Sequence, residues 1–516
     1  MVPNVLSLLI ILLLAVIYFG VFGDLDWSWQ VRMGELIVQT GNLRPPESFS
    51  YTIDGTKVHD FEWLYEVSLW AVWNVFGWGG LKFLKVIAVV TPLVLVARQL
   101  RREQVRRHGI VLSVILAVFV LSSAWNLRPL YCTTIGMLLI ATMLHNHCTG
   151  KWPLSWGLPL VMLLWANLHP GVITGVGLLY GAIAWEWVNQ WLQWNEPLDR
   201  ASLKRLTVVG GLGIMATFLS PDPIERLRYP FRPELAHPIM RIFVEMQPLP
   251  SLFAEAPLQI GFIYIVAALV LLSAVWRFRQ YRLWELVLLA GLAVLGNVAF
   301  RSAMDWLLVM LVLGVPHLKE MLAQAARYKP RPAAVACLLR LDRKIKQLLA
   351  SPWFRFQPFW PAAALVVLLT ISLIPPLSRH MPRQNAADWP VAALDHMQSA
   401  GLHGRFFGPP DYGAYLGWRL GERGKVYTDT RGFYFPPRLL EDSHFIPQLG
   451  PDWRQRLDRV LDEYHTDYFL LETTGARGKL WNAVREHVGT PLFLDEQSVL
   501  LSAGQLRRGI RDMGDG

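Results

Sequence analysis

Asp24 and Asp26, Glu62, Arg128, His169 and Arg301, with the polar loop 220–257, are the parts of this chain whose residue types suit group-transfer chemistry. Each stands at the end of a long apolar run or beside one. A carboxylate near a bilayer surface can take the proton of an attacking hydroxyl, and guanidinium groups can hold a phosphate leaving group through bidentate, charge-assisted hydrogen bonds. Acids at that depth are costly to place and usually have a role. Simpler uses exist for each residue. Aspartate is a favoured N-cap and first-turn residue, arginines at span ends snorkel to the interface, and a histidine before Pro170 can bond a backbone carbonyl.

The elements that must position these residues are read from hydropathy. The run Val5 to Phe22 carries no charge over about 18 residues, enough to cross roughly 30 Å of hydrocarbon. No basic residue precedes it and no small-x-small pattern follows it, so it reads as a retained span rather than a secretory signal. Apolar residues make up 53% of the 516 and charged residues 17%, which makes lipid the solvent for most of the chain. The net charge of +10 sits in blocks between apolar runs. That is the positive-inside pattern, and it argues against nucleic acid as a partner. Cys132, Cys148 and Cys337 give an odd count and no disulfide framework. His145, His147 and Cys148 are too close in sequence to close a metal site.

Basic residues crowd Arg98 to His108 and the loop His317 to Gln357, which places both in the cytoplasm. Acids outnumber bases between Asp24 and Glu62, which places that stretch on the opposite face, the periplasm of a Gram-negative cell. Glu62 to Trp78 is rich in tryptophan and reads as a helix at headgroup level rather than a span. Asp26 to Thr40 reads likewise, with Trp29, Met33, Leu36 and Ile37 on one face. The expected architecture is a polytopic α-helical membrane domain, 1–377, of about eleven transmembrane helices. Its first external loop, 24–79, carries two juxtamembrane helices. Residues 378–516 form a soluble extracytoplasmic α/β domain, with strands near Arg405–Phe407, Lys425–Thr428, Tyr468–Leu471, Pro491–Leu494 and Val499–Ser502. Helices between them favour a partly parallel sheet. No glycine-rich phosphate loop follows any strand. Tyr412-Gly413 and Arg431-Gly432 fit turns, with Asp429 and Arg431 free to pair or to line a binding surface.

Acids and arginines converging on the external face fit transfer of a sugar from a polyprenyl-phosphate carrier. The chain resembles the bacterial integral-membrane glycosyltransferases of the GT-C superfamily, in particular a branch with a soluble C-terminal domain. GDLDWSWQVRMGELI is similar to that branch's acid-x-acid, aromatic-rich motif, with Gln30 where histidine is common and Ser28 where an aromatic is usual. ESFSYTIDG at 47–55, FEWL at 61–64, LRPL at 127–130, WANLHPG at 165–171 and FVEMQP at 243–248 follow in the expected order. DYGAYLGW at 411–418, KVYTDTRGFYF at 425–435 and TDYFLLE at 466–472 extend the likeness through the soluble domain. The resemblance implies a lipid-phosphate-linked donor and catalysis on the extracytoplasmic face, with Asp24 or Asp26 as base. It adds Glu245 to Glu62 as a further site carboxylate. Some members need a divalent metal, so Asp24 and Asp26 could be ligands, and oxygen donors would suit Mg2+ or Mn2+.

The expected partners are therefore a polyprenyl-phosphate sugar donor, membrane lipid, and an envelope glycan, lipid or protein acceptor. A non-catalytic membrane protein for envelope glycan assembly or export is the alternative reading. A secondary transporter is a weaker one, because no internal repeat is evident.

Overall fold

The computed structural model describes residues 5–20, 25–57, 59–121, 126–327, 359–373 and 389–513, with Arg340, Arg343, Lys344, Gln347 and Gln357 as isolated positions. Asp24 and Cys337 lie outside the described residues. Helices occupy the apolar runs and the segments beside them: α1 (Val5–Phe19), α2 (Asp26–Thr40), α3 (Trp63–Arg102), α4 (Arg107–Leu121), α5 (Leu130–Cys148), α6 (Leu158–Leu168), α7 (Val172–Leu192), α8 (Arg200–Ala216), α9 (Pro223–Arg228), α10 (Pro257–Trp276) and α11 (Leu283–Val298). A continuous helical stretch Phe300–Ala325 and the helix Phe359–Leu373 complete the bundle. Among the described residues, three helices are long and apolar enough to cross a bilayer on length and composition alone: Trp63–Arg102, Pro257–Trp276 and Phe300–Ala325. Apolar side chains face both ways. Leu307 to Leu313 are buried, while Leu12, Ile115, Leu271, Val294 and Val366 are exposed, a pattern stable where the solvent is itself hydrocarbon.

Two glycines shape the part that carries the site. Gly77, at φ 54°, sits in the left-handed region and breaks α3 into an amino-terminal half and a longer carboxy-terminal half. Gly34 lets α2 lie directly on α3, because a Cβ there would stand 2.2 Å from the Glu66 carbonyl oxygen.

The last segment forms a mixed five-stranded sheet of β1 (Gly404–Phe407), β2 (Gly424–Val426), β3 (Tyr468–Glu472), β4 (Phe493–Leu494) and β5 (Ser498–Ser502), in the order β2-β1-β3-β5-β4. β1 runs parallel to β2 and to β3, whereas β5 runs antiparallel to β3 and β4. The turn expected at Tyr412-Gly413 is instead the first part of the helix Pro410–Leu420. Gly413 serves close packing rather than a turn, since a Cβ there would meet the Thr428 carbonyl oxygen at 2.2 Å.

The tryptophans of α2 and α3 cover this segment. The Trp27 ring lies 4.7 Å from Trp78, 4.8 Å from Trp418 and 6.1 Å from Trp389, within a shared core that includes Leu25, Leu394, Phe406 and Tyr415. Trp27 and Trp78 are buried there and join the first loop to the C-terminal segment. Residues 49–51 extend the sheet, with Val426 donating its N–H to the Phe49 carbonyl at 2.9 Å and Tyr51 donating to that of Val426 at 3.1 Å.

Candidate active site

Asp26 is the first residue of α2, but its carboxylate does not cap that helix. Leu25 occupies the N-cap with no side-chain hydrogen bond to the helix, and the Asp26 Oδ2 lies 3.3 Å from Arg128 Nη2. Arg128 comes from the turn that opens α5, and its other terminal nitrogen pairs with Glu245. Glu245 is held in the short 3-10 turn Val244–Met246 of the proline-rich loop before α10. A guanidinium thus bridges two carboxylates drawn from distant parts of the chain. All three side chains line a cavity of about 650 Å3 whose opposite wall comes from the C-terminal segment, with Asp411, Tyr412, Glu472 and Arg477.

Glu62, His169 and Arg301 form a second group beside this cavity rather than on its wall. His169 Nδ1 accepts from the Gly171 N–H at 3.1 Å and lies 2.6 Å from the Thr133 hydroxyl, which itself accepts from Trp165 Nε1 at 3.1 Å. That pattern makes Thr133 a donor to Nδ1 and puts the ring proton on Nε2, which faces Glu62 Oε1 at 3.5 Å. Burial, with the nearby Arg301 charge, pushes the His169 pKa down to about 3, so the ring stays neutral. Burial, then the charges of Asp60 and Asp26, push the Glu62 carboxyl well above the usual carboxylate range. Asp60 is also raised, by burial first, and its Oδ1 accepts the Glu62 backbone N–H at 2.8 Å. Arg301 makes no ion pair among the described residues, although its charge acts on both Glu62 and His169.

The structure therefore gathers the site residues expected from sequence into two adjoining groups, with Asp24 outside the described residues. Sequence reasoning missed Asp411, Glu472 and Arg477. Asp411 and Glu472 lie in the DYGAYLGW and TDYFLLE segments, where the signal was available. Asp429 and Arg431, which sequence left between pairing and binding, are both buried and pair with each other. His145 lies between Glu103 and Glu285, and His147 bonds the Ser202 carbonyl, so neither is free to ligate.

The helical bundle with its C-terminal mixed sheet superposes on ArnT from Cupriavidus metallidurans bound to undecaprenyl phosphate. The match covers 96% of this chain and 98% of that one at 13% identity, with a TM-score of 0.52. The fold is that of the GT-C glycosyltransferases. The GT-C likeness extends to the archaeal oligosaccharyltransferase AglB from Archaeoglobus fulgidus, solved with an inhibitory peptide and a dolichol-phosphate. There it covers 90% of this chain and 69% of that chain at 12% identity and a TM-score of 0.53. No protein-family model and no curated protein matches the sequence.

Of the two acids expected as ligands for Mg2+ or Mn2+, Asp24 lies outside the described residues and Asp26 faces Arg128; among the described residues no three acidic, histidine or cysteine side chains converge.

Proposed function

We propose that the protein is a membrane glycosyltransferase that moves a sugar from a polyprenyl-phosphate donor to a cell-envelope acceptor on the periplasmic face of a bacterial inner membrane. The observation that carries this reading is the cavity bounded by Asp26, Arg128 and Glu245 on one side and by the C-terminal segment on the other. Asp26 is the general base, in a role that the sequence allows it to share with Asp24. Arg128 is the group that a lipid phosphate would compete for. As the phosphate takes the guanidinium, Asp26 is released to accept a proton, so the base becomes available only when donor is present. The acceptor oxygen then bonds to the anomeric carbon as the bond from that carbon to the phosphate oxygen breaks with inversion. The hydroxyl proton passes to Asp26, and the electron pair leaves on the polyprenyl phosphate, whose charge Arg128 and Arg301 take up.

The charge distribution along α3 supports this orientation. Glu62 caps one end beside the site, and Arg101 and Arg102 lie in the last turn at the other. The positive-inside rule puts the basic end in the cytoplasm, together with the amino terminus, and the site and C-terminal segment outside. Neutral His169, whose Nε2–H faces Glu62, is a positioning residue behind the cavity.

Purified protein in nanodiscs, offered a panel of labelled polyprenyl-phosphate sugars, tests the reading. Saturable donor binding with turnover lowered about a hundredfold or more in Asp26→Asn is expected, since a general base contributes on the order of 10²–10⁴. An Asp24→Asn variant apportions the role between the two acids. A wild type indifferent to every donor overturns the transferase reading.

A further inference from the structure

The far wall of the cavity is built as carefully as the near one. Arg477 Nη1 donates to Asp411 Oδ2 at 3.1 Å and to Glu472 Oε1 at 3.0 Å. Among the described residues its Nε and Nη2 have no hydrogen-bond partner, and the side chain is 41% exposed. One nitrogen is thus anchored by two carboxylates while the rest of the planar fork is left to the cavity. Asp411 is 49% exposed and also retains acceptor capacity. Planar groups that offer paired donors and paired acceptors match the spacing of neighbouring hydroxyls on a pyranose ring. Tyr412 and Phe243 supply apolar surface for a sugar's C–H face on the same cavity. Its 650 Å3 falls within the range of about 300–1,000 Å3 typical of small-molecule sites.

Charge narrows the ligand class. The cavity is faced by the acids Asp26, Glu245, Asp411 and Glu472 against the guanidinium groups of Arg128 and Arg477. His444, on the same wall, is lowered by burial and by Arg477 and adds no positive charge at neutral pH. With the donor phosphate on Arg128, a phosphorylated or carboxylated acceptor would meet four acids against Arg477 alone, whose guanidinium is already anchored by Asp411 and Glu472.

We propose that Asp411, Glu472 and Arg477 form an acceptor subsite for an uncharged carbohydrate, which presents its hydroxyl across the cavity to Asp26. The assignment of the ligand as acceptor rests on the transferase reading; the carbohydrate contact itself does not. Full-length protein in nanodiscs is probed by saturation-transfer NMR with neutral trisaccharides of glucose, mannose and N-acetylglucosamine, with glucose 6-phosphate and triglycine as contrasts. Ring-proton transfer from at least one neutral trisaccharide is expected in the wild type, with affinity reduced about tenfold or more in Asp411→Asn and in Arg477→Gln, the scale of a lost charged hydrogen bond. Both side chains are well exposed, and retained circular dichroism checks folding. Absence of transfer from every neutral sugar, unchanged affinity in both variants, or preference for glucose 6-phosphate or triglycine overturns the subsite. Release of polyprenyl phosphate from labelled donor by the wild type is a separate readout, whose failure removes the transferase reading while the sugar contact stands or falls on the variants.

Discussion

Arg431 and Glu47 meet in a bidentate pair, Nη1 to Oε2 at 2.8 Å and Nη2 to Oε1 at 3.0 Å, and neither side chain reaches solvent. Asp429 holds the same guanidinium from the other side at 2.6 Å, and the Phe49 ring lies 4.7 Å from its carbon. Glu47 Oε1 also accepts the backbone N–H groups of Phe49 and Ser50 at 2.7 and 2.9 Å, so the pair fixes the course of the first loop.

Breaking that pair on one side strands a buried charge. Arg431→Met is expected to cost about 3–5 kcal/mol, and pairing it with Glu47→Gln should recover part of the loss. Denaturant unfolding in detergent, with trypsin sensitivity of residues 389–513 as a second readout, measures both.

Glu62 gives a pH dependence of opposite sign to an ordinary ion-paired acid. Its folded pKa is raised, by burial first and then by Asp60 and Asp26, so its contribution to stability diminishes as pH rises above the unfolded value of about 4.3. Glu62→Gln should therefore be no less stable than wild type at pH 8 and should show a flatter decline of melting temperature between about pH 5 and pH 8. A large loss of stability at pH 8 would show that the ionised form is the one the fold uses.

Glu103, at the other end of α3, behaves in the usual direction. Burial pushes its pKa up, but His145 at 3.2 Å and Lys151 at 2.5 Å outweigh it and bring it down to about 2. Its contribution is present above the unfolded pKa of about 4.3 and is lost as pH falls from there through about 2. Thermal melts over that window should show a shallower acid slope in Glu103→Gln than in wild type.

Metal removal tests the role of Arg128. With the guanidinium between Asp26 and Glu245, chelation by EDTA should leave donor turnover unchanged, and Arg128→Ala should abolish donor binding. Activity that EDTA removes and Mn2+ restores would place a cation beside Asp26.

Much of this was readable from residue order because the dominant forces act locally. Hydropathy located the helices of the bundle, and period-two apolar runs located the strands of the C-terminal sheet. Helix Pro410–Leu420 was hidden because Tyr412-Gly413 read as a turn, when at Gly413 the constraint is the Thr428 carbonyl just beyond β2. The partners of Asp26 and of Arg431 were hidden for a related reason. Charge pairs between segments a hundred or more residues apart leave no periodicity, so Asp26 read as a base or a cap with no Arg128 beside it, and Arg431 as a turn residue or a partner of Asp429 with Glu47 unrecognised.

The separation of 384 residues between Glu47 and Arg431 also sets a clock. Translation at about 5–20 residues per second leaves the first loop waiting roughly 20–80 s for the segment that clasps it. Until the final stretch of chain has emerged and docked, Trp27 has no Trp389 to pack on and the cavity has only one wall. The ribosome therefore delivers an inserted bundle first and a complete site last, and a chain truncated before Arg431 would be anchored in the membrane yet lack the wall that the cavity needs.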